Sequence, residues 1–120
     1  MFDRRRLKEH RQVLAALLAA RTRYDQAQTR AALLQLQRTW PEASTPIRQR
    51  IEKLDHWGNS SNLLGDYAAL LQTFARDYPE ARLSALAGTK APLAATQREV
   101  DARTKNIVDW LAYVQDPADR

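Results

Sequence analysis

The chain has 120 residues, of which 44% are hydrophobic and 28% charged, with a formal net charge of +5 and no cysteine. That length suits a single domain over residues 1–120. The missing cysteines exclude disulfides, Cys-ligated zinc, iron–sulfur clusters and thiol catalysis, and no apolar run approaches the ~18 residues of a membrane span.

Strand-favouring residues are few, whereas Ala, Leu, Arg and Gln, all good helix formers, are abundant. The expected class is therefore all-α: an antiparallel bundle of about four helices with a long N-terminal helix. That first helix is predicted from Asp3 to Arg38 or Trp40, because no Gly or Pro interrupts it before Pro41. Leu7, Leu14, Leu17, Leu18, Tyr24, Ala31 and Leu34 recur at helical spacing and define one apolar stripe. A helix of that length would rise about 50 Å and outrun a compact domain of this size, so it should bend, project or meet a partner. Basic residues followed by Val13–Ala20 also have the outline of a signal peptide. The apolar run is short, however, and Arg21 and Arg23 follow at once, so the stretch reads as part of the helix.

Pro41–Pro46 is predicted as a loop, with Thr45 capping a second helix whose first residue is Pro46. Ile47, Ile51 and Leu54 mark its buried face, and Gly58 ends it. A third helix over 62–77 should bury Leu63, Leu64, Tyr67, Leu70, Leu71, Phe74 and Tyr78. Pro79 then breaks it, and a short helix or turn follows over 80–87. The last helix runs from Pro92 to about Gln115. Leu93, Val100, Ile107 and Val114 lie seven apart, with Thr96, Arg103 and Trp110 between them, a coiled-coil-like seam whose natural mate is the first helix.

Charge is uneven along the chain. Residues 1–40 hold nine Arg and Lys against three acids, residues 41–60 balance, and residues 61–120 come to −1. Arg4, Arg5, Arg6, Lys8 and Arg11 form a basic tip, and together with Trp40 they are the candidate partner-binding residues. Such a tip suits nucleic acid, anionic lipid or an acidic protein. Trp40 is either an exposed anchor or a residue folded back to close the core.

No motif specifies catalysis. His10 and His56 stand on different helices without an i+3 or i+4 carboxylate–His partner and read as surface or semi-exposed histidines, and the three glycines are isolated, so neither a metal site nor a phosphate loop is expected. Arg21 and Arg103 fall within the apolar seams. They either snorkel or pair with a neighbouring acid, with Asp66, Asp101 and Glu52 available, or line a site for an anion. The expectation is a non-enzymatic interaction or structural module without cofactor, binding a protein partner or itself through the first helix. The alternative is an accessory protein that binds nucleic acid or an anionic membrane surface through the basic tip. A cytoplasmic location is expected, with a periplasmic or membrane-associated one as the alternative.

Three segments, covering about half the chain, resemble the LemA family of bacterial helical bundles. They are His10-Arg-Gln-Val-Leu-Ala-Ala-Leu-Leu-Ala-Ala-Arg21, Leu71-Gln-Thr-Phe-Ala-Arg-Asp-Tyr-Pro-Glu80, and Thr96 with Ala102-Arg103 and Asn106. The resemblance implies a structural, non-enzymatic bundle, often found at a bacterial membrane.

Overall fold

The computed structural model describes residues 4–54 and 60–118, with side chains placed over 7–54 and 63–113. The described chain is all-α. Helix α1 spans Arg4–Gln26, α2 spans Arg30–Glu52, α3 spans Ser60–Gln72, α4 spans Tyr78–Leu86 and α5 spans Ala91–Ala118. A π-helical turn, Thr73–Asp77, joins α3 to α4, so 60–86 is one continuous rod. The result is four antiparallel rods measuring 51 × 27 × 20 Å overall.

The predicted first helix is cut in two. Residues 27–29 form a tight turn, and Thr29, with φ −129° and ψ 154°, caps α2 by accepting the Ala32 N–H at 3.1 Å. Capping at this position satisfies one of the orphan donors of a helix start, and no proline or glycine is required for it. The break is favoured because it folds α2 back on the third rod and buries Leu33, Trp40, Ile47 and Leu54. An unbroken helix would have left that face in water, at about 25 cal/mol per Å² of apolar surface.

The expected loop at Pro41–Pro46 is helical, and Thr45 does not cap. Both prolines lie inside α2 and face solvent. Each removes one ladder bond, a cost of about 3 kcal/mol. Trp40 and Ile47, buried on either side of them, hold the helix through this stretch. The hydroxyls of Ser44 and Thr45 both donate to the Pro41 carbonyl, at 3.2 and 2.8 Å.

Pro79 does not end its helix either. It sits two residues beyond the π turn, in which the Tyr78 N–H reaches the Thr73 carbonyl five residues back. The wider turn accommodates a ring that would otherwise clash with the preceding carbonyl. Gly88, at φ 103°, ends α4 in the left-handed conformation, and the short connection sends α5 back antiparallel.

Rods α1 and 60–86 touch across the middle of the bundle, flanked by α2 on one side and α5 on the other. The seam of α5 is confirmed at Val100 and Ile107, both buried, with Leu111 added and Leu93, Arg103 and Trp110 half-buried. Its chief mate is the third rod, with α1 second, which reverses the expected pairing. The side chain of Val114 lies outside the described residues. All the residues predicted to be buried in the third helix pack in the core, Leu64 at its edge. Val13, Leu14, Leu17 and Ala20, from the signal-like stretch, form the core of α1.

Candidate functional site

Several polar side chains of the bundle interior hold the helices together. His10, expected at the surface, is fully buried against Tyr67 and Trp110. Its Nδ1 is hydrogen-bonded to the Tyr67 hydroxyl at 2.8 Å, and burial lowers its pKa from 6.5 to about 4. The sequence error has a plain source: His10 falls one turn beyond Leu7 and one before Leu14, on the buried stripe itself. Burial likewise pushes the Tyr67 hydroxyl pKa up, with the Asp66 carboxylate adding to the shift. His56 lies outside the described residues.

Arg21 donates to Asp101 at 2.6 Å and lies 3.6 Å from Asp25, with its guanidinium over the Tyr78 ring. Arg103 binds Asp66 at 3.0 Å and Glu99 at 2.7 Å. Both seam arginines therefore pair with acids, two of which (Asp66 and Asp101) sequence reasoning had offered as counter-ions. Tyr78, buried among the aromatics, donates to Asp25, and its pKa is raised by burial first and by that carboxylate second.

Sequence reasoning missed Arg82. Its guanidinium reaches from α4 to the end of α1 and donates to the carbonyls of Tyr24 at 3.1 Å, Asp25 at 3.4 Å and Ala27. These are the orphan acceptors that any helix terminus leaves behind. Once the break at 27–29 is known, an arginine from a neighbouring helix is a natural partner for them.

The candidate partner-binding residues separate. Trp40 is 5% exposed, packed on Tyr24 and Phe74, and is core rather than an anchor. Lys8 and Arg11 are exposed on the first turns of α1. Arg4, Arg5 and Arg6 lie in the opening turn of that helix, and their side chains are outside the described residues.

A broader cationic surface adjoins this tip. Helix α2 carries Arg30, Arg38, Arg48, Arg50 and Lys53 at or near its ends and along its length, all exposed, against Glu42 and Glu52. Among the described residues none of those five cations makes an ion pair. Arg38 donates instead to the Gln35 side chain, and Arg48 to Ser44 at 3.3 Å. Arg23 on α1 is exposed as well. In the other half Arg76, Arg103 and Lys105 are paired with Asp77, with Asp66 and Glu99, and with Asp109, while Lys90 and Arg98 are exposed and make no ion pair among the described residues.

Three clefts border this surface or lie behind it. One of about 480 Å³ runs between α2 and the third rod, lined by Trp40, Pro41, Arg48, Ile51, Leu71 and Ala75 among others. A smaller one, of about 230 Å³, lies between Arg23 and Tyr24 on α1 and Thr39 and Ala43 on α2. The third, about 600 Å³, is an open groove between α3 and α5 that includes Asp66, Arg103 and Trp110. Among the described residues no group of His, Asp or Glu could hold a metal, and no helix is long and apolar enough to cross a membrane. No family model, curated protein or solved structure matches the chain.

Proposed function

We propose that the chain is a non-enzymatic interaction module that docks onto an anionic macromolecule through the cationic face of the α1–α2 hairpin. The observation carrying this reading is the contrast between the two halves. Among the described residues the cations of α2 stand exposed and without ion pairs, whereas three of the five on the third rod and α5 are paired with acids. Exposed, unpaired charge of one sign raises the encounter rate with an opposite charge.

The apolar stripe of α1 is a weaker basis for partner binding, because Leu7, Val13, Leu14, Leu17 and Tyr24 are buried in the chain's own core. The first helix also stops at Gln26, which removes the excess length that suggested a projecting arm. The contact surface is therefore assigned to the charged face of the hairpin, continuous with the basic tip.

Immobilised heparin, a generic polyanion, tests this reading. Arg30→Gln/Arg38→Gln/Arg50→Gln should elute at clearly lower salt than Arg76→Gln/Arg98→Gln/Lys105→Gln, although both remove three positive charges. Co-elution of the two variants would mean that net charge alone acts and that the hairpin is no special surface.

A further inference from the structure

We infer that the anionic partner is double-stranded nucleic acid, gripped along its phosphate backbone without sequence preference; this rests on the hairpin reading above. Three observations favour phosphodiester over the other anionic surfaces.

The first is the kind of cation. Apart from Lys8 and Lys53, the described exposed cations of the hairpin are arginines: Arg11, Arg23, Arg30, Arg38, Arg48 and Arg50. The guanidinium fork matches phosphate oxygens two at a time and is less strongly hydrated than an ammonium.

The second is extent. From Arg30 to Arg50 the helix rises about 30 Å, the axial length of roughly nine base pairs at 3.4 Å each. Charge is spread along the rod rather than gathered at a point. A linear polyanion can meet more of it than a compact acidic patch on a protein can.

The third is what the surface lacks. The large hydrophobics exposed among the described residues are Leu18, Leu86, Val108 and Tyr113, and none lies on α2. A helix that lies in a membrane interface presents Trp, Phe or Leu beside its cations. Protein–protein interfaces put aromatic and apolar side chains at their centre and charge at the rim. The exposed face of α2 is made of arginine, glutamine, small residues and proline with two glutamates, Glu42 and Glu52, and Leu18 on α1 is the one large exposed hydrophobic of the hairpin among the described residues. Such a face fits neither description, but it does fit backbone contact, in which affinity comes from displaced counterions.

The test is fluorescence anisotropy of a labelled 24-base-pair duplex titrated with the full 120-residue chain at 50, 100 and 200 mM salt. The same titration is run with phosphatidylserine vesicles and with poly-glutamate. Binding to the duplex should weaken steeply with salt, with a log–log slope near −4 to −5 if about five phosphates are contacted. It should be indifferent to duplex sequence. Arg30→Gln/Arg38→Gln/Arg50→Gln should lose about three of those contacts, flattening the slope by nearly 3 and weakening binding at least tenfold at 100 mM. Arg76→Gln/Arg98→Gln/Lys105→Gln should bind within twofold of the parent. Circular dichroism checks that both variants keep the parent helix content, and single substitutions replace any that does not.

Binding to vesicles or poly-glutamate with no duplex binding would overturn the nucleic-acid assignment while leaving the hairpin reading in place. Equal weakening by the two triple variants would overturn both. Retention of hairpin-dependent heparin binding, with no duplex binding at any salt, would overturn this inference alone.

Discussion

The hydroxyl of Tyr24 donates to the carbonyl of Phe74 at 2.7 Å, across the contact between α1 and the π turn. Within its own rod that carbonyl has lost its donors. The Tyr78 N–H is turned to Thr73, and the residue five along is Pro79, which has no N–H. A side chain 50 residues away in sequence thus completes the rod's backbone bonding. Burial also carries the Tyr24 hydroxyl to a pKa of about 12, keeping it protonated as the donor at any physiological pH.

Tyr24→Phe should cost about 1–3 kcal/mol, the penalty for leaving a buried acceptor unpaired. At roughly 4 °C per kcal/mol for a domain of this size, thermal melting would register it clearly. The same substitution made on a Pro79→Ala background should cost less, because alanine restores an N–H to the rod. Equal costs on the two backgrounds would show that the hydroxyl and the proline are not linked.

Arg82→Met keeps most of the apolar stem but removes the donors to the end of α1, and should destabilise by about 1.5–3 kcal/mol. Arg82→Lys should recover less than half, since one ammonium cannot span three carbonyls. Denaturant midpoints give the magnitudes. Hydrogen exchange should quicken first at the amides of the last turn of α1. A uniform quickening over all helices would count against a local capping role.

His10 sets a pH window. Its folded pKa of about 4 lies below the ordinary 6.5, so as pH falls the unfolded chain takes up the proton first. The stability contributed by a neutral His10 is complete above pH 6.5 and is lost progressively toward pH 4, on the order of 3 kcal/mol in all. Urea midpoints at pH 7.0, 5.5 and 4.5 should fall more steeply for the parent than for His10→Gln. Comparing the two removes the shared contributions of carboxylates and His56. Parallel slopes would mean that His10 is protonated in the fold as readily as outside it.

Ile107 is fully buried on α5, and its neighbour Val108 is 47% exposed. Ile107→Ala should cost about 2–5 kcal/mol through lost burial and a residual cavity. Val108→Ala should stay within about 0.5 kcal/mol. Two variants melting together would place the α5 seam on another face.

What could be read from the sequence follows from which physical signal each residue sends. The stripes through Leu7, Leu14, Leu17 and Tyr24, and through Val100 and Ile107, are repeated over several turns, and periodic burial averages out local noise. The turn at 27–29 sends only one local signal, Thr29 as a cap, and that residue type is equally at home within a helix surface. Pro41 and Pro46 send a strong signal that misleads, because tertiary burial of Trp40 and Ile47 outweighs two missing ladder bonds. At the candidate surface the exposed positions of Lys8 and Arg11 were legible from helical phase. The unpaired state of the α2 arginines was not, because whether an acid lies opposite depends on which helices adjoin. Loss of the supposed loop also moved Trp40 from a helix end to mid-helix, and with it from a possible anchor to the core.

Helices α2 and α5 occupy opposite flanks, separated by the contact between α1 and the third rod. At least one helix diameter, about 10 Å, therefore lies between them, more than the screening length of about 8 Å at physiological salt. The acids Glu99, Asp101 and Asp109 on α5 therefore offset the field that the α2 arginines send into solvent only in part. The molecule consequently carries an electric moment across its width as well as a net charge. In the field of a polyanion it experiences a torque before it experiences contact, turning α2 forward and α5 away. A polyanion of the kind proposed would thus meet α2 first, and fewer encounters would be wasted on the other side.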